Sequence, residues 1–158
     1  MDGGPAKAAP TGEPLIRRAL VALSARGPSV EAYRSALARL RALEGELLLV
    51  HVELRPTSAP GNEADGAPAD EAETEIMRAI RTAAVAELGE RGHAVPIKIL
   101  HGDVGQRICE YAEFARCDGI VLGPRERASL AKALRGSVTR YVLAHSRASV
   151  LILGEPVR

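Results

Sequence analysis

The chain is predicted to fold as a doubly wound α/β domain, a parallel sheet with helices on both faces. Three observations point there. Short apolar runs alternate with stretches of helical periodicity, the pattern that right-handed β-α-β crossovers produce. One run, Leu47-Leu48-Leu49-Val50-His51-Val52, is apolar along almost its whole length, as a strand covered on both faces must be. A third run, Val95-Pro96-Ile97-Lys98-Ile99-Leu100, carries a proline and a lysine, which suit the edge of a sheet.

Taken in order, residues 1–14 are rich in Gly, Ala and Pro and are expected to form a disordered tail, with the domain occupying residues 15–158. Ile16 and Leu20-Val21-Ala22-Leu23 form the first strand. Ser29 then caps a helix whose Val30, Tyr33, Leu37 and Leu40 recur at steps of three and four, ending near Gly45. After the second strand, residues 55–71 are Pro-, Gly-, Ala- and acid-rich and read as a flexible insertion. From Ala72 a helix carries Ile76, Ile80, Ala84 and Leu88 on one face, with Gly92 expected to end it. Beyond the edge strand, Asp103 caps a helix that buries Ile108, Tyr111, Ala112 and Ala115. Gly119 to Leu122 is the fourth strand. Ser129 to Leu134 form a short helical turn, Ser137 caps a last helix facing inward through Val138, Tyr141, Val142 and His145, and Val150 to Leu153 form the fifth strand.

Composition narrows the function. The 158 residues are 46% hydrophobic with a formal charge of +1, so one domain with a true core is expected and no electrostatic footprint for nucleic acid or an anionic membrane appears. Aromatics amount to 3% with no Trp, which removes base-stacking platforms. Cys109 and Cys117 have neither disulfide-framework nor zinc spacing, and His51, His93, His101 and His145 form no ligand motif; structural roles are expected for all of them and no metal is expected. The opening residues lack a signal peptide's apolar centre and no run reaches membrane-spanning length, so a cytoplasmic location is expected. No Ser-His-Asp arrangement or carboxylate pair supports catalysis, and the chain is expected not to be an enzyme.

In sheets of order 3-2-1-4-5 a ligand sits outside the carboxyl ends of the first and fourth strands, which brings Ser24 and Gly123 to opposite sides of one crevice. Gly136 and Ser137, at the mouth of the last helix, are placed for an anion. The final strand, Val150, Leu151, Ile152 and Leu153, is an apolar edge, to be covered either by the same edge of a second copy or by the chain's own tail.

The opening LVAL, the second-strand LLLVHV, HGDVGQRICEYAEFARCDGIVLG and LRGSVTRYVLAHSRASVLIL together resemble the universal stress protein family over Leu15 to Gly154. The resemblance implies a five-stranded nucleotide-binding-like α/β fold, a dimer joined through the last strand, and an ATP site in those members that keep a G-x-x-G, nine residues, G-S/T pattern and an Asp ending the first strand. Here Gly123, Gly136 and Ser137 match that pattern, Glu126 stands at its second glycine and Ser24 at its Asp. Val52 matches the position whose backbone reads adenine.

The candidate nucleotide contacts are therefore Ser24, Val52, Gly123, Arg125, Glu126, Arg127, Gly136, Ser137 and Val138. A carboxylate about 4 Å from a phosphate charge costs roughly 4 kcal/mol at an effective dielectric of about 20, several hundredfold in affinity, unless Arg125 and Arg127 neutralise it. Exchanging Asp for Ser24 removes a charged acceptor worth about 1 to 2 kcal/mol more than a hydroxyl. The expected function is a non-enzymatic stress-response or regulatory homodimer with a degenerate nucleotide crevice and no tightly held cofactor. The alternatives are an ATP- or AMP-binding sensor with slow hydrolysis, and a regulatory module of a larger transporter or kinase.

Overall fold

The computed structural model describes residues 12, 14–22, 30–53, 71–123 and 136–153. Ser24, Ser29, Arg125, Glu126, Arg127, the Ser129 to Leu134 turn and nearly all of residues 1–14 and 55–71 lie outside them. In chain order the elements are β1 (Arg18–Ala22), α1 (Val30–Leu40), β2 (Glu46–Glu53), α2 (Glu71–Leu88), α3 (Glu90–Ala94), β3 (Ile97–His101), α4 (Val104–Phe114), β4 (Gly119–Leu122), α5 (Ser137–His145) and β5 (Ser149–Ile152).

The strands form one five-stranded sheet in the order β3-β2-β1-β4-β5, and every pair is parallel. β1 is central because both of its edges are paired, to β2 through Ala22↔Val50 and to β4 through Ala22↔Leu122. Ala19, Leu20 and Val21 are accordingly fully buried, the condition under which a strand reads as a continuous apolar run. Two cores sandwich the sheet. On one face Tyr33, Leu37 and Leu40 of α1 and Ile80, Ala83 and Ala84 of α2 meet Val21, Leu49 and Val121. On the other, Ile108 and Ala112 of α4 and Val142 of α5 meet Leu20, Val50 and Ile120.

The expected edge strand is an edge, but Pro96 precedes it: the Pro96 carbonyl accepts the Leu49 N–H, and β3 begins at Ile97. Gly92 does not end the second long helix. The break comes at Gly89, whose φ of 60° a side chain would resist, and Gly92 is buried inside the short α3. Its missing side chain is what lets α3 fold back, since a Cβ there would collide with the Ala84 carbonyl of α2. At the other end of the chain Gly136, not Ser137, is the N-cap of α5, with Ser137 the first helical residue.

Two ion-paired or hydrogen-bonded joints tie segments distant in sequence. Glu87 of α2 receives Arg34 at 3.0 Å and Arg41 at 2.8 Å from the α1 side, and those guanidinium groups hold its carboxyl below the usual range. Before β4, Asp118 accepts the backbone N–H groups of Arg17 and Arg18, which fixes where β1 starts and keeps that carboxyl ionised to lower pH than usual.

Candidate functional site

The crevice lies at the carboxyl ends of β1 and β4, which are neighbours in the sheet. The last described residue of β1, Ala22, has its carbonyl turned to β4, where it accepts the Gly123 N–H at 3.3 Å. Gly123 is therefore spent as a donor, and what it contributes to the crevice is the absence of a side chain. β2 runs on beyond the level of Ala22 through His51, Val52 and Glu53. The Leu49 N–H donates to Pro96 and the Glu53 carbonyl accepts from Gly102, so these odd-numbered residues aim their polar groups at β3. Alternation along the strand turns the N–H and C=O of Val52 the other way, toward the β1 side, while its side chain is buried in the α4/α5 core. The donor and the acceptor of Val52 thus both face the β1 side at the carboxyl end of the sheet, toward residues 23–29, which lie outside the described ones.

Two of the helices that begin at this pole, α4 and α5, are finished differently. α4 is capped by Asp103, whose Oδ1 accepts the Gln106 N–H at 2.9 Å, so a carboxylate already neutralises that terminus. At α5, Gly136 is extended (φ −62°, ψ 141°) and supplies no side-chain cap; its carbonyl accepts the Arg140 N–H at 3.1 Å. Ser137 is exposed beside it, Val138 is half-buried against the α4/α5 core and Thr139 is buried. An amino terminus of this kind can satisfy its first N–H groups with an external anion.

Of the sequence-derived candidates, the structure thus gathers Val52, Gly123, Gly136, Ser137 and Val138 at one pole. Ser24, Arg125, Glu126 and Arg127 lie outside the described residues. The edge residues divide: Val150 and Ile152 are half-buried, Leu151 is 39% exposed, and Leu153 is 7% exposed, with its N–H donated to the Leu122 carbonyl. Leu153 therefore belongs to the chain's own core and not to the free edge.

A polar cluster beside Val52 was not anticipated. His51 is buried at 3% exposure with its Nδ1 3.5 Å from the Tyr33 hydroxyl, and Glu53 Oε2 lies 3.7 Å from Nδ1 of its register partner His101. The signal available was the alternation of His51 and Glu53 on one strand face, which becomes informative only once the register to β3 is known. Among the described residues no group of His, Cys, Asp or Glu is arranged to hold a metal ion, and no helix is long and apolar enough to cross a membrane.

A model of the universal stress protein family matches residues 15–154. Several solved structures share the fold. A universal stress protein in complex with cAMP is 19% identical, with a TM-score of 0.60 over 87% of this chain and 96% of that one. A family protein from Burkholderia pseudomallei is 24% identical, with a TM-score of 0.57 over 87% of this chain and 96% of its own. The universal stress protein UspA from Lactobacillus plantarum is 20% identical, with a TM-score of 0.56 over 86% and 96%. No curated protein matches the chain.

Proposed function

Because the chain belongs to the universal stress protein family, we propose that it is a non-enzymatic regulatory homodimer whose crevice keeps the frame of an adenine-nucleotide site while disfavouring a triphosphate. The amino terminus of α5 carries this reading: among the described residues it has no side-chain cap, and it lies at the same pole as the Val52 backbone. In the sequence, Glu126 stands about ten residues before that terminus, so the anion site and a negative charge lie close along the chain. The repulsion scales with the charge brought in, and a single phosphate charge meets far less of it than ATP does.

A sensor for a nucleotide carrying one phosphate is the second reading, and it is favoured by the cAMP held by the similarly folded stress protein. Both share the crevice and differ in affinity. Isothermal titration of the purified chain separates them. Saturation by Mg-ATP at micromolar concentration would reject the degenerate crevice, whereas saturation by cAMP or AMP with ATP at least tenfold weaker identifies the sensor. The double variant Ser24→Asp, Glu126→Gly is expected to raise ATP affinity tenfold or more, and no gain would mean that the crevice has diverged beyond those two positions.

A further inference from the structure

At the pole opposite the crevice, a pocket of about 440 Å³ opens between α4 and α5, floored by the segments that lead into β4 and β5. We propose that it is a second binding site, for a small organic cation with an ammonium or guanidinium head on a short aliphatic chain. Its walls have complementary characters. On the α4 side stand Glu110 and Glu113, with Asp118 just beyond; among the described lining residues the basic ones are Arg147 and His145. Glu110 is already engaged by Gln106 at 2.8 Å and Arg107 at 3.0 Å, and Asp118 by the β1 amides. Glu113 is different: among the described residues its carboxylate has neither a hydrogen bond nor an ion pair, so a cation entering the pocket meets one uncommitted charge backed by two committed ones.

The facing wall is a ring stack. Tyr141 and His145 of α5 lie parallel, with centroids 3.9 Å apart and planes 16° from one another. His145 Nδ1 is 2.9 Å from the Tyr141 carbonyl, which can only accept, so Nδ1 donates. A cation seated here lies between the rim of the ring stack and the carboxylates, and the C-terminal end of α5 adds partial negative charge. The thiols register the same field. Burial, then Glu113 and Glu110, push Cys109 up, and Cys117 is pushed up by burial and by Asp118 against the opposing pull of Arg18. Two thiols held protonated are poor nucleophiles, which leaves the pocket a binding site rather than a reactive one.

The test is an amide NMR titration of the full ¹⁵N-labelled chain with agmatine at low salt. Saturable shifts are expected at Cys109, Glu113, Cys117 and His145, with Val52 and Gly136 unmoved. Glu113→Gln, an exposed and conservative change, is expected to weaken binding tenfold or more while leaving the rest of the spectrum in place. Raising NaCl from 20 to 300 mM on the unaltered chain is expected to weaken it severalfold. The site is overturned by shifts that do not saturate, by shifts that map to the crevice pole, or by a Glu113→Gln titration that superimposes on the parent.

Discussion

The buried imidazole of His51 is the residue whose chemistry most directly sets how the molecule responds to acid. Burial pushes its pKa down; Glu53 pulls it up and His101 pushes it down again, with burial the largest of the three. Tyr33, whose hydroxyl burial drives well above its usual range, remains a neutral neighbour throughout. In the unfolded chain His51 takes up a proton near pH ~6.5, while the folded chain refuses it until the pH is lower still. Between those two values the unfolded state binds more protons, so stability is complete above about 6.5 and declines as the pH falls through the window. Urea unfolding at pH 7.5 and 5.5 is expected to show a lower midpoint in acid, and His51→Asn should remove part of that difference; an unchanged difference would assign the decline to other groups. That His51 is buried was legible in the apolar run around it. Arg116 was not legible: it ends α4 at φ 55°, donating its N–H to Glu113 while Cys117 donates to Ala112, in a closing motif that glycine usually fills.

Between elements, the contact of α4 with α5 is a tight constraint. A Cβ on Gly105 would come within 2.9 Å of the Tyr141 Cβ, an atom too close to its own backbone to swing aside. The glycine therefore sets the separation of the two helices that begin at the crevice and end at the opposite pocket. Gly105→Ala is expected to cost about 1 to 3 kcal/mol by forcing the helices apart, read as a loss of unfolding free energy in urea. A neutral result would show that α5 can shift without repacking its core. Strands and helices were legible in the sequence because burial on both faces leaves an unambiguous apolar run and one-sided burial leaves a period of 3.6. Their punctuation was less so. Gly89 and Gly92 are both plausible stops, and only the approach of α3 to Ala84 decides that Gly92 is a packing glycine. Likewise Gly136 and Ser137 are both acceptable caps by type, and the extended φ and ψ of Gly136 decide between them.

At the scale of the molecule, the two edges of the sheet are treated unequally, and this asymmetry makes the case for a second copy. β3 ends the sheet with Lys98 exposed on it, a charge that discourages further pairing. β5 ends it with Val150, Leu151 and Ile152. Leu151 pairs in register with Val121, so it points to the α1/α2 face, yet that helix layer does not reach it and it stays 39% exposed. Helix α5 covers the other face through Val138 and Val142, which is why Val150 is partly buried there. An antiparallel partner strand along β5 would satisfy the backbone groups that no described strand pairs and lay its own Leu151 near the first across the two-fold axis. Leu151→Lys puts two like charges near that axis while leaving each domain's core intact. The sedimentation mass is therefore expected to fall from two chains to one with little change in unfolding midpoint at low protein concentration. A parent chain that already sediments as one chain at high concentration would reject the pairing, and the function would then have to be carried by a monomer.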